Sequence, residues 1–322
     1  MSKLKKMVIF SGNANKPLAE EICRHLGIEL GKALVDVFSD KETQVKILEN
    51  VRQKKVYIIQ PTCPPDVNDY YFELWSMMDA CRRASAKEIN AVIPYFGYAR
   101  GDKKTEPRVP IGAKIATRFT IKSGAKRIIT MDLHAVQIQG FTNKPVDNLF
   151  AEPVLIKYIK DTFPLENLVL ASTDVGGAAR TRSYAKRLDS VDTNVGIAII
   201  DKRRPKPNEA EVMNIVGDVR GKTVIEVDDI VDTAKSLVNG AEALMKAGAK
   251  EIHAVCTHPV LSGSAVERIA NSVLSSLIVT NTIPLSDEAK ACEKIKVVSV
   301  SELIAEAIKR TYTGESVTSL FD

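Results

Sequence analysis

Short runs of β-branched and other apolar residues alternate along the whole chain with longer stretches in which apolar residues recur every three or four positions. That alternation is the pattern of helices covering a parallel sheet. The runs predict strands at 7–10, 56–60, 91–94, 127–131, 168–171, 196–200, 223–227, 252–256 and 277–280. Helices are predicted between them, at 70–83, 111–123, 178–188 and 237–247, with a last one at 302–312. The fold class so read is α/β.

The two halves, laid side by side, repeat each other. VRQKKV at 51–56 answers VRGKTV at 219–224, and AKEINAV at 86–92 answers AKEIHAV at 249–255. One such match is ordinary helix-to-strand punctuation, whereas two in the same order point to a duplicated strand–loop–helix–strand unit. The expected domains are therefore 1–147 and 148–322, divided where two prolines and polar residues interrupt the pattern in NKPVDNLFAEP, 143–153. The helix at 302–312 is a candidate to pack back on the first domain.

Composition narrows the setting. A chain of 322 residues with 45% apolar content suffices for two domains of ordinary size. A net charge of +5 suits anionic small molecules, and the 6% aromatic content shows no basic and aromatic interleaving of the kind that stacks nucleic-acid bases. Cys23, Cys63, Cys81, Cys256 and Cys292 are scattered, without a CxxC pair or a histidine at zinc-ligand spacing, which reads as a reducing compartment. The amino terminus lacks the apolar core of a signal peptide. No run approaches the roughly 18 apolar residues of a membrane helix. A cytoplasmic protein, bound to neither membrane nor nucleic acid, is expected.

The most informative segment is EVDDIVDTAKS, 226–236, where a predicted strand gives way to a helix. In an open α/β sheet, ligands sit beyond the carboxyl ends of strands, and the unsatisfied N–H groups of a helix's first turn prefer an anion. The backbone from Asp232 through Thr233, Ala234 and Lys235 to Ser236, with the two hydroxyls, can wrap a phosphate. Asp228 and Asp229, one step earlier, are acceptors for vicinal sugar hydroxyls or for a magnesium ion held partly through water. Helix capping by Asp232 or Thr233 explains one such residue, not three acids and two hydroxyls. A phosphate at one end and diol acceptors at the other describe a phosphorylated ribose.

Other runs are basic. IPYFGYARGDKK, 93–104, gathers Arg100, Lys103 and Lys104 after a strand, a concentration of charge suited to a triphosphate, although solvated lysines read the same way. The TEPRVPIGAK that follows has no apolar period and reads as a lid before the next helix. TMDLHAVQIQGF, 130–141, sets His134 at a strand end, for a structural role or for a nucleotide or magnesium contact. DKRRPKPNEAE, 201–211, clusters Lys202, Arg203 and Arg204; it is either a surface hairpin or a set of cations for the charge on a transferring phosphoryl group.

The acidic segment resembles the phosphoribosyl pyrophosphate binding motif, shared by phosphoribosyltransferases and ribose-phosphate pyrophosphokinases. VFSDKE, DACRRASAKEI, VIPYFGYAR, ITMDLHAVQIQGF, STDVGGAARTR, DKRRPKPNEAEVMNIVGDV, VDDIVDT, VTNTIPL and GESVTSLF extend the similarity across nearly the whole chain to the phosphate-dependent, homohexameric pyrophosphokinases. The resemblance implies two phosphoribosyltransferase-like domains. It implies transfer of the β,γ-diphosphoryl group of ATP to the 1-hydroxyl of ribose 5-phosphate, with Mg2+ required and inorganic phosphate as activator. Position by position, it implies that Phe38, Asp40, Lys41 and Glu42 meet ATP, from a neighbouring subunit, that Arg100 reaches its phosphates with Lys103 and Lys104 opening the flexible catalytic loop, and that Gly101, Asp102 and His134 also belong to the ATP site. His134 and Asp174 would be the magnesium-associated pair, and Lys202 and Arg204 the catalytic pair. Asp228, Asp229, Asp232, Thr233, Ala234, Lys235 and Ser236 would take ribose 5-phosphate.

The chain departs from the family pattern at Lys41, where glycine is frequent, at Lys235-Ser236, which replaces Gly-Thr, and at Gly101 and Thr173. If the glycine replaced by Lys235 is left-handed, the lysine costs about 1–2 kcal/mol. A catalytically weakened or regulatory relative, or a phosphoribosyltransferase, is the alternative that these departures leave open.

Overall fold

The computed structural model describes residue 4 and residues 6–189, 195–203 and 212–321, apart from the side chains of 202, 203, 212 and 213. The first half runs β1 (Met7–Ser11), α1 (Lys16–Leu26), β2 (Ala33–Val37), β3 (Thr43–Ile47), β4 (Lys55–Ile59), α2 (Val67–Arg83), β5 (Glu88–Ile93), α3 (Gly112–Lys122), β6 (Arg127–Met131) and β7 (Val146–Leu149). Then come α4 (Glu152–Thr162), β8 (Leu168–Ser172), α5 (Ala178–Leu188), β9 (Gly196–Arg203), β10 (Val212–Val216), β11 (Thr223–Val231), α6 (Lys235–Lys246), β12 (Glu251–Pro259), α7 (Ala265–Ala270), β13 (Ser276–Thr280), α8 (Asp287–Ala291) and β14 (Ile295–Val298). The chain closes with α9 (Ser301–Thr313).

These elements form two compact units: Met1–Phe150 with Thr282–Pro284 and Ser299–Asp322, and Ala151–Asn281 with Leu285–Val298. In the first, five parallel strands lie in the order β1-β4-β5-β6-β7. Their apolar runs are buried nearly end to end, as strands covered on both faces must be. Helix α1 starts where Asn15 accepts a hydrogen bond from the Leu18 N–H at 3.3 Å and stops at Gly27, whose φ of 65° is left-handed. Helix α9 joins this unit: His25 Nε2 lies 3.1 Å from Ser301 Oγ, and Lys55 Nζ donates to the Tyr312 carbonyl at 3.1 Å.

The second unit has a seven-stranded sheet, β10-β9-β8-β11-β12-β13-β14, parallel except for the β10 edge. Its core gathers Val169, Val224, Leu237, Leu244, Ile252 and Leu277. The duplication is visible strand for strand: β1, β4, β5, β6 and β7 answer β8, β11, β12, β13 and β14. The repeated segments open equivalent strands, VRQKKV entering β4 as VRGKTV enters β11, and AKEINAV entering β5 as AKEIHAV enters β12. Each copy also carries an antiparallel pair. In the second unit β9 continues the main sheet through β8, whereas in the first β2 and β3 form a sheet of their own.

One strand is longer than its apolar run predicts. β11 continues to Val231 because β12 is equally long and the ladder holds at Ile230 with His258 and at Val231 with Pro259. Asp228 and Asp229 are therefore strand residues, not loop residues.

Candidate functional site

Strand order in the second unit reverses between β8 and β11: β9 lies on one side of that pair and β12 on the other. Such a switch opens a crevice at the carboxyl ends of the two strands. The β8 ladder stops at Ser172 opposite Val227, so Asp228 and Asp229 project beyond its end. Thr173 Oγ1 donates to Asp228 Oδ2 at 2.7 Å. Arg180, two residues into α5, donates through Nη1 to Asp229 Oδ1 at 3.0 Å and to Asp228 Oδ1 at 3.4 Å. The Asp229 side chain is 6% exposed and that of Asp228 27%.

Burial, and next the charge of Asp229, raise the Asp228 carboxyl to about 7, against the opposing pull of Thr173 and Arg180. This carboxyl changes charge near neutrality, in a crevice. Its ladder partner Cys256 is fully buried, and that burial pushes the thiol well above its ordinary range, which rules it out as a nucleophile.

The turn from β11 into α6 is fixed from the α7 side. Leu261 N–H donates to the Val231 carbonyl at 3.0 Å and Ser262 N–H to the Asp232 carbonyl at 3.1 Å. Ser262 Oγ also donates to Asp232 Oδ1, and Arg268 donates through Nη1 to the Thr233 carbonyl and through Nη2 to Ser264 Oγ at 2.9 Å. Ala234, at φ 58°, is the left-handed residue of the turn. Lys235 is the first helical residue of α6 and is absent from the left-handed positions, so the strain expected of it falls on Ala234. Thr233, Lys235 and Ser236 are exposed, and the first-turn N–H groups of α6 open beside them. The arrangement can hold an anion on main-chain N–H groups, with acceptors for hydroxyls alongside.

Asp174 lies exposed in the turn from β8 to α5, its Oδ1 accepting from Gly177 N–H at 2.8 Å. Lys202 is in β9, opposite Met213 in the ladder; its side chain, and all of Arg204, lie outside the described residues.

The first unit carries the remaining sequence-predicted residues on two features. Phe38, Asp40, Lys41 and Glu42 form the tip of the β2–β3 hairpin. Phe38 N–H donates to the Glu42 carbonyl at 2.8 Å, Lys41 N–H to the Phe38 carbonyl at 2.9 Å, and Glu42 N–H to Asp40 Oδ1 at 3.0 Å. Lys41 takes φ 75°, a conformation natural to glycine. Arg100, Gly101, Asp102, Lys103 and Lys104 follow β5, and His134 follows β6, both beyond carboxyl strand ends. Gln137 Nε2 donates to Asp102 Oδ2 at 2.7 Å and so draws these two loops together. Arg100, Lys103, Lys104 and His134 are exposed, and residues 102–111 are irregular as the sequence predicts.

Sequence reasoning missed Arg180 and Arg268. AARTR reads as an ordinary helix surface, and only the placement of α5 beside β11 shows what Arg180 meets.

Residues 7–124 match the family model of the N-terminal domain of ribose phosphate pyrophosphokinase, and residues 195–322 that of the phosphoribosyl synthetase-associated domain. A ribose-phosphate pyrophosphokinase of Xanthomonas axonopodis pv. citri is 53% identical over 322 residues, 100% of this chain and 99% of that protein. The Agrobacterium fabrum protein of the same name is 49% identical over 316 residues, 98% of this chain and 100% of the other. Among solved structures, phosphoribosylpyrophosphate synthetase from Mycobacterium smegmatis superposes with a TM-score of 0.90 at 34% identity, covering 96% of this chain and 100% of that one.

Proposed function

The chain belongs to the ribose-phosphate pyrophosphokinase family, and on that premise we propose how its residues divide the transfer of the β,γ-diphosphoryl group of ATP to the 1-hydroxyl of ribose 5-phosphate, with release of AMP. The second unit holds the sugar phosphate. Main-chain N–H groups from Asp232 to Ser236, with Thr233 and Ser236 hydroxyls, bind the 5-phosphate, and Asp228 and Asp229 accept hydrogen bonds from the ring hydroxyls. Arg180 keeps that acidic pair from repelling itself apart. The observation that carries the reading is this pairing of diol acceptors with an anion cradle at the one strand-order reversal of the unit.

The first unit holds ATP. Arg100 is assigned to the phosphates, and Gly101, Asp102, Lys103, Lys104 and His134 to the ATP site around them. The hairpin tip, Phe38, Asp40, Lys41 and Glu42, is assigned to the nucleotide of a neighbouring subunit in a homohexamer. The exposure of Phe38 at 48% and Val37 at 48% supports a surface awaiting a partner. Lys202 and Arg204 stabilise the charge that develops on the transferring group.

The donors present fit magnesium. Among the described residues no cluster of three or more His, Cys, Asp or Glu forms a cage, but a magnesium ion carried by ATP needs only one or two protein carboxylates besides phosphates and water. Asp174 supplies an exposed carboxylate, and the exposed His134 suits a metal-bound water rather than the ion itself. When bound, the ion neutralises triphosphate charge. Inorganic phosphate as activator and a cytoplasmic location complete the reading. Among the described residues no helix is long and apolar enough to cross a membrane.

The test is AMP formation from ATP that requires both ribose 5-phosphate and Mg2+. ATP consumption indifferent to the sugar would defeat the proposal. Lys202→Ala should lower kcat with little change in ATP affinity, as loss of an interaction made only in the transition state does.

A further inference from the structure

Among the described residues the β2–β3 hairpin makes no ladder with the parallel sheet of its unit, so its orientation needs another source. Ala33, Val35, Val45 and Ile47 turn one face onto the core around α2, whereas Leu34, Val37, Phe38 and Leu48 lie exposed. Apolar packing is non-directional and by itself sets the angle of a two-stranded ribbon less sharply than hydrogen bonds do. Hydrogen bonds supply direction. At the root, Gly31 N–H donates to the Ile9 carbonyl at 2.7 Å, an approach only glycine permits, because a Cβ there would lie 2.7 Å from the Phe10 ring.

Higher on the ribbon, Asn13 Nδ2 donates to the Val35 carbonyl at 3.1 Å. Asn13 is in turn gripped by Glu73 of α2. Glu73 Oε1 accepts from the same Nδ2 at 2.7 Å, and Oε2 accepts from the Asn13 N–H at 3.0 Å. Glu73 Oε2 also accepts from Gln60 Nε2 at 2.6 Å, and Gln60 Oε1 accepts from the Ala14 N–H at 3.2 Å. A Cβ at Gly12 would sit 2.4 Å from Gln60 Oε1, so the loop is shaped around this network. Glu73 is only 4% exposed, and the donors around it are amides. A carboxylate is costly to bury. Here it spends both oxygens on one loop, and that loop's side chain ends on the hairpin.

We propose that Glu73 is a positioning residue for ATP use: acting through Asn13, it sets the angle of the β2–β3 hairpin and so the presentation of Phe38, Asp40 and Glu42. The inference rests on the reading above that the hairpin tip serves the nucleotide of a neighbouring subunit.

Asn13→Ala and Glu73→Gln test it. Asn13 lies on an exposed loop, and its alanine variant keeps the backbone N–H bond to Glu73 Oε2 while losing both side-chain bonds, to the Val35 carbonyl and to Glu73 Oε1, so it carries the test should Glu73→Gln fail to fold. Loss of one such bond should raise the KM for ATP about five-fold, with kcat and the KM for ribose 5-phosphate within about two-fold. Backbone amides of β2 and β3 should exchange faster in Asn13→Ala, by more than any change in the amides of the parallel sheet, since the variant also takes one donor from the buried Glu73.

Mixed assemblies of Glu73→Gln with Asp228→Ala subunits should recover the wild-type KM for ATP, because the second kind donates an intact hairpin. An unchanged KM for ATP and unchanged hairpin exchange in Asn13→Ala overturn the proposal, as does a mixed assembly that recovers nothing. A wild-type protein that makes no sugar-dependent AMP instead overturns the functional reading beneath it.

Discussion

If Asp228 accepts from the sugar as proposed, its carboxyl offers a direct measure of sugar binding. It stands at about 7, raised first by burial and then by Asp229. Sugar hydroxyls donate to its ionised form, so the deprotonated fraction is the binding-competent one. That fraction is about nine-tenths at pH 8, half at pH 7 and a tenth at pH 6, which weakens the apparent affinity for ribose 5-phosphate about ten-fold from pH 8 to pH 6. Binding at pH 7 then expels about half a proton, visible in titration calorimetry as a heat that depends on the buffer's ionisation enthalpy.

The sugar phosphate's own ionisation near pH ~6 adds to the slope. Asp228→Asn removes only the protein's share, and the comparison isolates it. Equal slopes for the two proteins would refute the reasoning. The same shift sets the sign for stability. The folded carboxyl lies above its unfolded value of 3.8, so the folded state holds the extra proton between the two values, and stability falls as pH rises from about 4 through 7. Saturating ribose 5-phosphate should restore part of that loss at the alkaline end.

Removing the cation over the acidic pair is the second prediction. At 3.0 Å from Asp229, Arg180 contributes a gross attraction of about 5 kcal/mol at an effective dielectric of ~20. With its side chain 28% exposed, Arg180→Met should cost a net ~2 kcal/mol in denaturant unfolding and raise the KM for ribose 5-phosphate. An unchanged unfolding midpoint would refute it. Lys41→Gly should stabilise by about 1 kcal/mol by relieving a left-handed backbone, whereas Lys235→Gly should destabilise by about 0.5 kcal/mol at a helical position; thermal melts that move in the same direction would contradict the assignment. Gly240→Ala, ordinarily favourable in a helix, should destabilise by about 1–3 kcal/mol, since its Cβ would lie 2.4 Å from Oε1 of the buried Glu226 and 2.9 Å from Ile200 Cδ1.

The sheets were legible where strands are covered on both faces. MVIF, VYII and LVLA are apolar without interruption, and each lies in a strand. β2, β3, β10 and β14 carry polar residues on an open face and sit at edges or in a separate ribbon, so no continuous run marks them. Asp228 and Asp229 looked like loop because charge is rare inside a parallel strand; a ladder partner on the far side of helix α6, Cys256 for Asp228, is invisible to local pattern and keeps them extended. The acidic segment suggested a chemistry from sequence alone, since its residues are contiguous. Arg180 could not announce itself, for its meaning depends on an approach between α5 and β11 that only the folded sheet creates. The strain assigned to Lys235 moved one residue because the turn's handedness changes at Ala234, a detail of torsion that residue type alone does not carry.

The two grips proposed for the sugar phosphate differ in stiffness. Asp228 is pinned in register against Cys256 within a continuous ladder, while the proposed phosphate cradle belongs to a turn held by a few bonds from Leu261, Ser262 and Arg268. Ladders yield less than turns. Stereochemical discrimination should therefore reside in the ring: an epimer with one inverted hydroxyl meets acceptors that do not follow it, whereas a phosphonate or sulfate at the tail meets a backbone able to shift by tenths of an ångström.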